Sequence, residues 1–218
     1  MAAAIALGFA GSLPVQRRRW HAAPLLFGRR WPLATNEDAA ELLEVRAIAA
    51  GDSVAFQRLI DREAPRLLRF ALGLLGNLED AEDVVQDTMI RLWENAASWT
   101  PDARIGTWLH RVSYNRAIDL LRRRRALVDE SALVELVDHS ELPDASMVRS
   151  EAALSLKDAI EKLPTRQRTA VLLFHFQEFS QREAANVMGV SEDALESMLA
   201  RARRQLRRWL EGEGGGNE

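Results

Sequence analysis

Residues 104–125 read RIGTWLHRVSYNRAIDLLRRRR, and their spacing predicts one long helix with two unlike faces. Ile105, Leu109, Val112 and Leu120 recur at helical steps with Trp108 and Ala117 beside them, so one side is suited to burial. Arg104, Arg111, Asn115 and Arg122 fall on another side, with Asp119 at its edge, because steps of four and seven residues return to nearly the same angle. Arginines 122–125 close the stretch. Two readings stand open at this point. Cations at a helix C-terminus complement its dipole. Alternatively, the face binds nucleic acid, with arginines for phosphates, Asn115 for a base edge, and Trp108 and Tyr114 for stacking.

The surrounding chain narrows the choice. Its 218 residues suit one or two domains, and an apolar fraction of 47% is enough for folded cores. A net charge of −3 says little about nucleic acid, but the charges are distributed in blocks. No acid precedes Glu37, residues 104–125 hold only Asp119, residues 126–151 are mostly acidic, and residues 201–208 are basic again. Such blocks matter more than the sum, because phosphate attraction acts within a Debye length of roughly 8–10 Å. There is no cysteine, which removes thiolate chemistry and fits a reducing cytoplasm. His21, His110, His139 and His175 are scattered and give no metal-ligand spacing, so neither a metal nor a cofactor is expected. No apolar run approaches the ~20 residues needed to span a bilayer. Residues 1–36 lack the leading positive charge of a secretory signal and carry three prolines; they are expected to be a disordered extension.

From residue 37 the pattern is helical. Residues 41–50 form a short helix closed by Gly51, and Asp52 is a good N-cap for a second. Pro65 is expected to bend or break that second helix, and Gly73 and Gly76 to end it. Asn77 opens a third helix with Val84, Val85, Met89 and Leu92 inward and an acidic N-terminal half. Its acids admit three readings: complement to the dipole, metal ligands, or a docking surface for a basic partner. Calcium-loop spacing is absent, which leaves the first and the last.

Residues 126–150 are rich in acids and weakly periodic, as a linker would be. Helices resume at residue 151 and continue beyond Pro164. Ser180 and Glu183 make a complete capping box, Gly189 suits a tight turn, and Ser191 caps a last helix with Leu195, Leu199, Ala202 and Leu206 on one stripe. Two helices joined by a short glycine turn, the second long and basic, form a helix-turn-helix. Arg201, Arg203, Arg204, Arg207 and Arg208 lie off the apolar stripe, as phosphate contacts should.

The ordered set of motifs resembles the ECF-type (group IV) sigma factors of the bacterial sigma-70 family. It comprises the run AEDVVQD at 81–87 with Leu92 and Trp93, then WLHRV at 108–112 with Asn115, Asp119 and Arg122. Leu163, Pro164, Gln167 and Arg168 follow, and then Ser180, Glu183, Ala184 and Ala185 through Gly189, Val190 and Ser191 to Arg201, Ala202 and Arg203. The match covers residues 37–210; each motif alone is weak, but the ordered set is specific. The resemblance implies an all-α protein of two small helical domains. Residues 37–125 would be sigma region 2, 126–150 an acidic linker, 151–211 sigma region 4, and 212–218 a flexible tail.

The resemblance further implies a non-enzymatic protein that lends core RNA polymerase promoter specificity and aids melting. Asp80, Glu82, Asp83, Gln86 and Asp87 become expected contacts to the β′ clamp helices, and the β flap is the other part of core polymerase expected as a partner. Trp99, Trp108, Arg111, Asn115, Asp119, Arg122 and Arg123 are expected at the −10 element. A base extruded from the stack there costs a few kcal/mol, which stacking and polar contacts offset. Ser191, Glu196, Ser197, Ala200, Arg201 and Arg204 are expected at −35. This last helix departs from the family pattern at its start, where Glu196 either accepts from a cytosine or points away. A cytoplasmic location and an anti-sigma partner are expected as well. The competing reading is a helix-turn-helix regulator that binds duplex DNA without polymerase; it leaves the Asn115/Asp119 helix and Gln167-Arg168 unexplained.

Overall fold

The computed structural model describes residues 36–99, 103–130 and 151–213, and among these no strand occurs. The first half holds α1 (Asn36–Ala49), α2 (Ser53–Leu75), α3 (Leu78–Asn95), a short 3-10 turn (Ala96–Ser98) and α4 (Ile105–Glu130). The second holds α5 (Glu151–Glu161), α6 (Thr165–Val171) running into a π-helical turn (Leu172–Phe176), α7 (Gln181–Met188) and α8 (Glu192–Glu213). The expectations for residues 1–35, 131–150 and 214–218 lie outside the described residues.

The expected caps set the helix starts. The Asp52 carboxylate accepts from the N–H groups of Val54 (2.9 Å) and Ala55 (3.0 Å), and Asn77 accepts from that of Asp80 (2.9 Å). Ser180 accepts from the Glu183 N–H while Glu183 accepts from the Ser180 N–H, closing the capping box. Gly189 turns the chain at φ 62°, and Ser191 Oγ accepts from the Ala194 N–H. Each such cap is worth roughly 1 kcal/mol.

Three expectations need correction. Pro65 does not break α2, which runs through it. The proline is exposed, so water can solvate the carbonyl its ring leaves unbonded, while Phe56, Leu59, Ile60, Leu67 and Phe70 are buried on the other face. Those side chains contribute roughly 1.5–3 kcal/mol each, which outweighs one disfavoured proline. Gly73 does not end α2 either. A Cβ there would lie 2.9 Å from Leu172 Cδ2, so the glycine serves close approach of α2 to the second half. Gly76, at φ 73°, is the true C-cap. Finally, α4 runs on to Glu130, so arginines 122–125 are not in its last turn and the dipole does not account for them.

Two apolar clusters hold these helices. One is internal to the first half, with Val45, Ile48, Phe56, Leu59, Met89, Leu92, Ile105 and Leu109. The other crosses between the halves: Phe70, Leu74, Val84, Tyr114 and Ala117 pack with Leu163, Leu173, Ala184, Val187, Leu195 and Leu199. The halves are therefore joined by a common core. Polar contacts reinforce the seam, with Arg66 donating to the Gln177 carbonyl at 2.9 Å and the Gln177 amide donating to the Arg66 carbonyl at 3.2 Å.

Candidate polymerase and nucleic-acid interfaces

Helix α4 divides its residues by angle. Ile105 and Leu109 enter the first core; His110, Tyr114 and Ala117 face the seam; and Arg104, Asn115, Asp119, Arg122 and Arg123 are exposed on the side that remains. Asp119 and Arg122 approach to 3.8 Å, both largely in solvent, so this pair holds neither group firmly. Burial in the seam keeps the Tyr114 ring from stacking on a ligand while the halves are packed, and raises the pKa of its phenol.

The other expected members of the −10 set are placed differently. Trp108 and Trp99 are half-buried against the first core, with the Trp99 indole N–H buried and unbonded. Trp108 packs against that core with part of its ring exposed. Arg111 turns towards α7, where Asn186 Oδ1 lies 3.5 Å away, and burial lowers its pKa from the usual arginine value. The sequence grouped Arg111 with Asn115 and Arg122; the structure puts it in the seam.

Two acids from other elements hold the start of α4. The Glu41 carboxylate accepts from the Ile105 N–H, and burial is the main cause of its raised pKa. Glu63 is 5% exposed, binds Arg62 at 2.9 Å, and keeps Oε2 beside Gly106. Negative charge is favoured at a helix N-terminus, and the first turn of α4 supplies none of its own. No local sequence signal marks these two acids.

On α3 the expected docking residues separate into two groups. Asp80 pairs with Arg124, and Asp87 bridges Arg91 (3.1 Å) and Arg116 (3.2 Å), so both tie α3 to its own helix or to α4. Glu82 is half-buried with Oε1 unbonded. Asp83 and Gln86 are exposed, next to Glu79 and the half-buried Ile90. Of the five expected contacts, Asp83 and Gln86 present themselves most fully to an outside partner.

Helix α8 buries Leu195, Leu199 and Ala202 and exposes Ser191, Glu196, Ser197, Arg201, Arg203, Arg204, Arg207 and Arg208, with Ala200 half-buried. The Ser191 hydroxyl is committed to capping. Arg168, quoted above only as part of a motif, is a structural clamp. Its guanidinium donates to the carbonyls of Leu74 (3.4 Å), Leu163 (3.4 Å) and Glu161, satisfying groups at the ends of α2 and α5. Among the described residues no group of three metal-ligating side chains occurs, and no helix is long and apolar enough to cross a membrane.

Comparison with known proteins places both halves in one family. Residues 59–127 match the sigma-70 region 2 family and residues 153–206 match sigma-70 region 4. The ECF RNA polymerase sigma factor SigM of Mycobacterium tuberculosis is 36% identical over 171 residues, which cover 78% of this chain and 84% of SigM. SigW of Bacillus subtilis is 27% identical, with 76% and 94% covered. Among solved structures, RpoE of Bartonella quintana in complex with the anti-sigma factor NepR aligns at a TM-score of 0.64 and 28% identity, over 72% of this chain and 96% of that one. CnrH in complex with the cytosolic domain of CnrY aligns at 0.59 and 31%, over 79% and 98%. A chain that carries both a sigma-70 region 2 and a sigma-70 region 4 domain is an RNA polymerase sigma factor. The chain belongs to the ECF sigma factors of the sigma-70 family, whose members act with core polymerase on promoter DNA and are not themselves enzymes.

Proposed function

We propose the following division of labour for this sigma factor. Asn115 and Asp119 of α4 read the −10 element, with Arg122 and Arg123 on its phosphates. Arg201 and Arg204 of α8 hold the −35 duplex, with Glu196, Ser197 and Ala200 towards the bases. Asp83 and Gln86 of α3 meet the β′ clamp helices, and the second half meets the β flap. The protein works in the cytoplasm and is held inactive by an anti-sigma factor, a reading supported by the complexes in which two of its structural relatives occur.

The observation that carries this reading is that both DNA-facing stripes are exposed although the halves are packed together. Packed, a body of the roughly 155 described residues has a radius of gyration of about 15 Å. The two promoter elements, about 25 base pairs apart, are separated by about 85 Å along a duplex. The halves must therefore part before both elements are engaged. Run-off transcription with purified core polymerase tests the whole assignment. Promoter-dependent initiation is expected; duplex binding with no initiation would return the chain to the regulator class.

The α8 assignment has its own test. Arg201→Ala and Arg204→Ala should each weaken promoter binding about equally across −35 sequences and reduce the log–log salt slope by about one, with the fold intact. Filter binding of the holoenzyme across a salt series measures it. Wild-type slopes in both variants would remove these arginines from the phosphate contacts.

A further inference from the structure

The seam between the halves contains one group that packing serves badly. His110 of α4 is wholly buried, with its ring 5.4 Å from that of Phe70 on α2 and 4.8 Å, edge-on, from that of Phe179 just before α7. Its Nδ1 lies 2.8 Å from the Gly106 carbonyl, which fixes the proton on that nitrogen in the neutral ring. Its Nε2 is buried and meets no hydrogen-bond donor, while the Gln177 side chain of the second half stands beside the ring and favours its charged form. The ring is thus held between one aromatic from each half, with its remaining basic atom directed at neither water nor a donor.

We propose that His110 is an acid-sensitive latch, in which a proton on Nε2 parts the two halves and turns the packed chain into its extended form. The charged groups around it do not cancel this effect. From α2, Glu63 favours the imidazolium and Arg66 opposes it; at the end of the π turn, Gln177 favours it through its side chain. Burial outweighs them all and holds the packed-state pKa at about 4, against an ordinary 6.5. The sign follows directly. Because the packed-state value is depressed, the contribution of His110 to packing is complete above pH 6.5 and is lost as the pH falls towards 4. Parting the halves removes Phe179 from the ring and lets water reach Nε2, so the open form takes up the proton that the packed form refuses. Linkage then raises the open-to-packed ratio roughly 20-fold between about pH 7 and about pH 5. On the function proposed above, acidification increases the share of the form able to span both promoter elements.

The absence of native cysteine makes the test direct. Dyes on Glu94→Cys and Glu211→Cys, both exposed and one in each half, report the separation in the free, full-length chain. Transfer efficiency should fall from pH 7 to pH 5 with helical circular dichroism unchanged, and the fall should vanish in His110→Phe and His110→Gln. A pH-independent efficiency in the wild type overturns the proposal. So does a wild-type fall in either neutral variant, or a loss of helicity over the same range, which would mean unfolding and not opening. No polymerase or DNA enters the measurement, so its failure is distinct from failure of the promoter assignments.

Discussion

Phe70→Ala should destabilise the folded chain by about 3–5 kcal/mol, the largest stability effect expected of a single substitution here. Phe70 is fully buried near the C-terminal end of α2, in the core that crosses between the halves, and forms one wall of the His110 site. Truncation removes the transfer energy of the ring and leaves a cavity that two separately anchored halves cannot readily collapse. The second consequence is more diagnostic. With the common core weakened, urea unfolding should split into two transitions. Circular dichroism would follow both, and fluorescence of Trp93, Trp99 and Trp108 would follow the first half more closely. A loss below about 1 kcal/mol, or two transitions already in the wild type, would mean that the free chain does not keep this seam.

Much of the fold was legible because its signals are local. The caps at Asp52, Asn77, Ser180 and Ser191 and the turn at Gly189 each involve residues within three positions of one another, and all are present. What the sequence left open depends on partners far along the chain. Gly73 reads as a helix stop until Leu172 is found against it. Arg168 reads as half of a motif until its contact with Leu74 shows it bridging the halves. His110 has no local signal at all, since Phe179 lies in another domain. Packing of the halves was an open question for the same reason: no periodicity within one helix states which distant helix covers it.

The exposed faces of the candidate site were legible to a similar depth. Residues exposed by α4 and α8 agree with the faces drawn from helical spacing, but the edges of those faces were misjudged. Arg111 lies close in angle to Arg122, yet the second half reaches far enough around α4 to cover it. Likewise Asp80 and Asp87, a step of seven apart on α3, share a side that meets the arginines of α4, whereas Asp83 and Gln86 share the outer one. A charge pattern gives the sign of a face and not which of its members an internal counter-ion has already taken. The inward acids of α3 are thus tied to the arginines of α4, and only the outward ones are open to a partner, as the proposed docking requires.

That arrangement makes Asn115→Ala and Asp119→Ala the substitutions with the largest expected functional effect. Both residues are exposed on α4, and the long, solvated Asp119–Arg122 contact holds neither firmly, so stability should change by no more than about 0.5 kcal/mol. A good polar contact to a base edge is worth about 1–3 kcal/mol, so each variant should lose about 5- to 150-fold in run-off transcription from duplex promoter. If these groups act by capturing bases as the strands part, much of the loss should be recovered on a template already melted over the −10 element, because the protein no longer has to offset the cost of unstacking. Core binding should be unchanged, since the outward acids of α3 are untouched. Equal losses on duplex and melted templates would place the contribution of Asn115 and Asp119 after melting; wild-type activity in both variants would remove α4 from base recognition and leave its arginines as a phosphate clamp alone.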